Sequence, residues 1–225
     1  MPSPFDWLAR LGAMERSSES ELLDGSQLPE HAVARAFRDL DRTHRWLGNT
    51  AEILRLLIQD PVSVRSVLDI GCGQGALLNR VRRRLGIEVA GFDLRPAPPA
   101  AQVPIFTGNA IFDPLPKADV ALAVCLAHHL SEADFVRLVQ NVSRSCRRFI
   151  VLDLVRHRLP LALFRTFLAP FLYSVNVVDG ITSIRRAYTP AEMRHLVGTA
   201  LHGTGGRVQH TVAPFYIRQI ADISW

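Results

Sequence analysis

The 225-residue chain predicts an α/β fold with a mostly parallel, doubly wound sheet, and three observations carry that prediction. Ser66-Val-Leu-Asp-Ile is a β-branched and aliphatic run that breaks into Gly71, Gly73 and Gly75 ahead of a helical segment, which reads as a strand, a tight turn and a helix start. Strand-like runs follow at 88–93, 103–107, 118–125 and 149–154 and alternate with helical or loop segments, the pattern of a parallel sheet covered on both faces. The run at 88–93 ends on an acid, Asp93.

Residues 1 to about 28 read as a loosely structured arm with the polar run Ser17-Ser18-Glu19-Ser20 at its middle. From Glu30, Val33, Ala36, Phe37 and Leu40 recur at helical spacing, Ile53, Leu54, Leu57 and Ile58 mark a second helix, and Gly48 breaks the two. After the first strand, Leu77, Val81 and Leu85 step by four along a helix whose other face carries Arg80, Arg82, Arg83 and Arg84. Ser131 with Asp134 starts the helix after the fourth strand, and Thr189-Pro190-Ala191-Glu192 is a fuller start signal, with proline at the first helical position and a capping-box acid. Two closing strands are expected at 207–211 and 215–220, joined through Pro214.

Length and composition fit one α/β domain with a sizeable core. The three cysteines, Cys72, Cys125 and Cys146, have neither CxxC nor histidine spacing, so neither a disulfide framework nor a zinc site is expected and a reducing cytoplasm fits best. The N-terminal residues lack a continuous apolar segment of the secretory type. The most apolar stretch, 159–178, is interrupted by Pro160, Arg165, Pro170 and Asn176, which argues against a membrane span. The net charge of +5 comes from arginines that read as solvated helix faces, because no aromatic-basic interleaving accompanies them.

Glycines let a backbone approach a ligand closely, and the helix start that follows offers unpaired N–H groups to it. Gly71, Gly73 and Ala76 meet the loose G-x-G-x-x-A fingerprint of dinucleotide sites, and Asp93 stands where such sites hold a ribose. Those two features alone fit an NAD protein equally well.

The string LDIGCGQG with Asp69 inside its strand, followed by AGFDLRP, TGNAIFDPLP and ADVALAVCLAHHL in that order, resembles the class I S-adenosylmethionine (SAM) methyltransferases from about Val64 to the C-terminus. The resemblance implies a Rossmann-like fold with a seven-stranded, mostly parallel sheet whose last strand runs antiparallel. It further implies SAM as methyl donor and S-adenosylhomocysteine (SAH) as product. Asp69, Gly71, Cys72, Gly73 and Gly75 would hold the methionine portion and Asp93 the ribose hydroxyls, with Leu94, Asn109 and Ala110 around the adenine and Leu126 as a further cofactor contact. The family usually has Asp where Asn109 stands; an amide oxygen can still accept from the adenine amino group, and a turn-forming role for Asn109 competes with that reading.

His128-His129 just past the fourth strand, with Asp153 after the next, resembles small-molecule O-methyltransferases. Imidazole is suited to take a hydroxyl proton near neutral pH, and Asp153 would orient one ring; His128 is the favoured base, against a reading in which the histidines cap a helix or fill the floor of the site. The other histidines are expected on surfaces or helix ends, and no histidine or carboxylate spacing suggests a metal, so metal-independent transfer is expected.

DLDRTHRWLGNT, CLAHHLSE, VLDLVRHRLPLALF and DGITSIRRAYTPAEM are similar to bacterial methyltransferases found with type III polyketide synthases, which act on phenolic or resorcinolic lipids. That likeness implies a substrate lid from residues 1–60 and an insertion at about 156–188, on a SAM-binding domain spanning 61–225. Trp46, Asn49, Phe164, Phe167, Phe171, Arg186 and Tyr188 would surround an apolar or aromatic small-molecule acceptor. Nucleic acid and membrane are not expected as partners, and a homodimer stays open. Two alternatives remain: carbon, nitrogen or RNA methylation, and a SAM-fold binding subunit without catalysis.

Overall fold

The computed structural model describes residues 12, 14–25, 28–60, 62–99 and 101–225; the expectation of a loose arm over residues 1–11 lies outside them. The helices are α1 (Glu30–Trp46), α2 (Asn49–Ile58), α3 (Ala76–Leu85), α4 (Glu132–Val142), α5 (Arg158–Leu163), α6 (Ser174–Arg186) and α7 (Pro190–Leu201). The strands are β1 (Ser66–Ile70), β2 (Glu88–Asp93), β3 (Ile105–Thr107), β4 (Ala118–Val124), β5 (Cys146–Asp153), β6 (Arg207–Val212) and β7 (Gln219–Ser224). They form one sheet in the order β3-β2-β1-β4-β5-β7-β6. The first five are parallel, and β7 runs antiparallel to both of its neighbours.

The strands alternate their side chains between two cores, as the pleat requires. Leu68, Ile70, Ala121, Ala123, Phe149 and Val151 pack with Phe135 and Leu138 of α4 and Met193 and Val197 of α7. Val67, Val120, Leu122, Ile150 and Leu152 face the other way, onto Ile53 and Leu57 of α2 and Leu78 and Val81 of α3. With both faces covered, ligands have access at the carboxyl ends of the strands, and the order reverses between β1 and β4, where such sheets open a crevice.

The start signals act as expected: Ser131 Oγ accepts from the Asp134 N–H, and Thr189 and Glu192 form a reciprocal capping box. Gly48 sits at φ 73° between α1 and α2. The final strand departs from expectation. Pro214–Tyr216 is a short helical turn with Phe215 and Tyr216 at φ 59° and 57°, so the strand expected at 215–220 begins only at Gln219. The arginine face of α3 is partly committed, since Arg80 pairs both of its terminal nitrogens with Asp41 at 2.5 Å. Among the described residues no helix is long and apolar enough to cross a membrane.

Candidate functional site

One wall of the crevice is the loop after β1. Gly71 and Gly75 take φ 71° and 74°, a conformation strained for any other residue, and a Cβ there would also push on the side-chain ends of Leu126 at 2.8 Å and Val103 at 2.6 Å respectively. Asp93 ends β2 and braces the loop: one carboxylate oxygen accepts from the Gly73 N–H at 2.8 Å and the other from the Arg95 N–H at 2.9 Å. Each oxygen keeps a further lone pair for a ligand hydroxyl.

Asp69 lies one strand over, 4 % exposed, and faces the cavity. It makes no side-chain hydrogen bond among the described residues. Burial first, and then the Asp93 charge, push its pKa up to about 8. A cationic ligand group would discharge that cost, so the residues fit a donor that carries positive charge.

The opposite wall is built from segments far apart in the chain. β4 ends at Val124, Cys125 adopts φ 54°, and a single tight turn, Ala127–His129, follows. Asp153, at the end of β5, accepts from the His128 N–H at 2.9 Å and sits 2.7 Å from its ring Nδ1. That pairing fixes the ring with Nε2 turned away from Asp153. Burial alone would lower the His128 pKa, but the charge and hydrogen bond of Asp153, with Glu21 behind them, carry it up to about 10. His129 lies beside it with ring centroids 4.3 Å apart.

The arm completes this wall. Glu21 Oε1 accepts from Ser183 Oγ at 2.6 Å and stands 3.3 Å from His128 Nε2 and 3.7 Å from His129 Nε2. Asp24 Oδ2 is 3.1 Å from His129 Nδ1 and 3.5 Å from Arg186. The backbone N–H groups of Leu22 and Leu23 donate to the Asp179 carboxylate. Arg16 donates to the carbonyls of Arg186 and Leu130 and lies 3.9 Å over the Tyr188 ring. Residues 14–25 are therefore tied down across the cavity, where the sequence suggested loose chain.

A cavity of about 1650 Å³ joins the two walls, beyond the roughly 300–1,000 Å³ usual for one small ligand. Asp69, Gly71, Cys72, Gly73, Asp93, Leu94, Asn109, Ala110 and Leu126 line it, as do His128, His129, Asn49, Phe164, Phe171 and Arg186. Gly75 supports the loop from outside the lining, and Asp153 lies behind His128. Three expected acceptor contacts are placed elsewhere. Trp46 is 57 % exposed beneath Arg42, Phe167 points to solvent, and Tyr188 is buried against Phe135 with its hydroxyl on the Leu130 carbonyl. Asn109 uses its amide oxygen on the Ile111 N–H, a turn-forming role.

A model of the methyltransferase-domain family matches residues 33–170, more than half of the chain. The chain belongs to that methyltransferase family. No curated protein sequence matches it significantly. Among solved structures, the methyltransferase is similar to the plantazolicin methyltransferase BpumL in complex with SAH, at 14 % identity and a TM-score of 0.67, over 90 % of this chain and 92 % of that one. It is similar to human N-acetylserotonin methyltransferase in complex with SAM, at 20 % identity and a TM-score of 0.55, over 82 % of this chain and 53 % of that one. It is also similar to the mitomycin 7-O-methyltransferase MmcR, at 18 % identity and a TM-score of 0.57, over 86 % and 58 %. Likeness at these identities is likeness of fold.

Sequence reasoning missed Glu21, Asp24, Ser183 and His44. His44 is at a helix end as expected, but it lines the cavity and bonds Asn49 at 3.1 Å. No local signal marks Glu21 or Asp24, since their partners lie in the turn after β4 and in α6.

Proposed function

We propose that this methyltransferase transfers a methyl group from SAM to a hydroxyl of a small, largely apolar acceptor of phenolic or polyketide type. The observation that carries the reading is one cavity with a buried carboxylate that makes no side-chain hydrogen bond among the described residues and a braced glycine loop on one side, and a carboxylate-held imidazole on the other. SAM, bound at the glycine loop, supplies an electrophilic methyl group on a positively charged sulfur. Asp69 and Asp93 hold the charged and hydroxyl-bearing parts of that donor, and Leu94 and Ala110 offer apolar contact to its base. The SAM and SAH complexes of the structural neighbours support this assignment.

The acceptor's proton leaves at the imidazole–carboxylate cluster. In the simplest form His128 takes it at Nε2 when its ring is neutral, a form that the pKa of about 10 makes scarce at pH 7 and more abundant as pH rises, so turnover climbs with pH; Asp153 keeps the ring oriented, and Arg186 steadies an anionic oxygen. Phe164, Phe171 and the arm cover the acceptor's apolar body, which excludes water. In this reading the described part of residues 1–60, with residues 156–188, acts as the lid. The protein works in the cytoplasm, in secondary metabolism.

Calorimetry with SAH and product analysis with isotopically labelled SAM test it. We expect one SAH per chain and label on oxygen of a phenolic acceptor. No SAH binding at high micromolar concentration would overturn the donor assignment, and label on carbon or nitrogen would overturn the acceptor assignment.

A further inference from the structure

We propose that Glu21, His128 and His129 form a binding site for a divalent first-row transition cation of the zinc type, facing the acceptor side of the cavity. The inference deepens the proposed function, because it names what helps the acceptor hydroxyl ionise, and it runs against the metal-independent transfer that the sequence suggested.

Each of the three residues offers one donor atom, and these three atoms lie within 4.8 Å of one another. The Glu21 carboxylate oxygen is 3.3 Å from His128 Nε2 and 3.7 Å from His129 Nε2. Donors at about 2.1 Å from one tetrahedral ion stand about 3.4 Å apart, so the spacing brackets that geometry. Hydrogen bonding alone explains it less well, because 3.7 Å leaves the His129 nitrogen without a bond to Glu21.

The outer partners point the same way. A metal-binding histidine commonly gives its other ring N–H to a carboxylate, and a binding carboxylate is itself hydrogen-bonded. All three residues meet this condition. His128 Nδ1 faces Asp153 at 2.7 Å, His129 Nδ1 faces Asp24 at 3.1 Å, and Glu21 accepts from Ser183 at 2.6 Å. Both imidazoles thereby present Nε2 to the same point.

Two imidazoles and one carboxylate suit zinc, cobalt or manganese better than magnesium or calcium, which prefer oxygen alone. Three protein ligands leave a coordination position open, the pattern of catalytic rather than structural sites. All three residues border the cavity, so an acceptor oxygen can take that position. Bound there, it gives its proton to water near neutral pH, as metal-bound water does, and His128 then acts as a ligand instead of taking the proton itself. The arm carries one ligand, so the ion also ties residues 14–25 to the turn after β4.

Equilibrium dialysis of the chelator-stripped full chain against zinc, followed by elemental analysis, is the test. We expect one zinc per chain at low micromolar free ion, with cobalt giving the visible absorption of a tetrahedral site. Glu21→Ala and His129→Ala should each weaken zinc at least tenfold, and Asp24→Asn about tenfold, with thermal unfolding and SAH affinity retained. Substoichiometric zinc in the unaltered chain would overturn the proposal, as would zinc binding that Glu21→Ala leaves unchanged. SAH calorimetry on the same samples reads the glycine-loop wall separately, so failure of the donor assignment is distinguishable from failure of the metal site.

Discussion

The two walls of the cavity are made in opposite ways. The donor wall comes from neighbouring strand ends and the loop at 71–75, so short-range chain geometry shapes most of it. The acceptor wall is assembled from an N-terminal arm, the turn after β4, the end of β5 and α6, elements that meet only in the finished fold. A local wall is fixed by backbone conformation and tolerates little change, whereas an assembled wall depends on side-chain hydrogen bonds that can be altered one at a time. Substitutions should therefore separate donor binding from turnover.

The largest effect is expected at the donor wall. Asp93→Ala removes the brace on the Gly73 N–H and, in the proposed donor site, the acceptor for the ribose, and should weaken SAH by about a hundredfold, since a buried donor left unpaired costs roughly 1–3 kcal/mol beyond the lost ligand contact. Calorimetry checks it. Retained affinity would mean that the loop is held by its glycine geometry alone.

Asp153→Asn should come next, and on the other wall. The amide fills the same space but no longer accepts from both the His128 backbone and ring as a carboxylate does. Turnover should fall about a hundredfold, within the range for loss of a positioned proton-transfer group, with SAH affinity unchanged. A parallel loss of SAH affinity would show the walls to be coupled.

Asp69→Asn has effects of opposite sign on stability and binding. The acid's pKa rises from an ordinary 3.8 to about 8 on folding, so between those values the folded chain holds a proton the unfolded chain has lost, and stability falls as pH rises. The variant removes that penalty. Its ligand-free melting temperature should match the parent near pH 4 and exceed it at pH 8 and above, while SAM affinity drops about tenfold. Equal melting at both pH values would remove the idea of a costly, ligand-directed carboxylate.

The same contrast explains what the sequence disclosed. Glycines, the acid inside β1, the acid closing β2, and the helix caps are local signals, and the structure places them in the strands, loop and helix starts where they were read. Asp153 was legible because consecutive strands with a helical crossover lie side by side. Glu21 was not, because its partners depend on how the arm crosses α6, and nothing in Ser-Glu-Leu-Leu-Asp specifies that path. Phe215 and Tyr216 look like strand residues by type, yet their positive φ is imposed by the turn that lets β7 reverse. Asn109 reads as a ligand contact or as a turn residue from its side chain alone, and only the Ile111 N–H at 3.0 Å favours the turn.

A smaller effect is expected from Arg16→Ala. Its guanidinium holds the arm to the Arg186 and Leu130 carbonyls and to the Tyr188 ring, but the Asp179 carboxylate still captures Leu22 and Leu23. The acceptor KM should rise several-fold and amide exchange over residues 14–25 should quicken, with SAH affinity unchanged. Unaltered exchange would mean that Asp179 alone secures the arm.

The smallest effect should come from residues whose aromatic character suggested acceptor contact but whose placement does not. Trp46 stacks with Arg42 on the outer side of α1, and Phe167 is 66 % exposed in the turn between α5 and α6. Neither lines the cavity, whereas Phe164 and Phe171, from the same apolar stretch, do. Phe164→Ala should raise the acceptor KM about tenfold, because burying an aromatic ring is worth a few kcal/mol, while Phe167→Ala in the same segment and Trp46→Ala in α1 should change KM and turnover less than twofold. If Phe167→Ala matched Phe164→Ala, the stretch at 159–178 would have to rotate on acceptor binding, and the lid would be a moving part rather than a fixed wall.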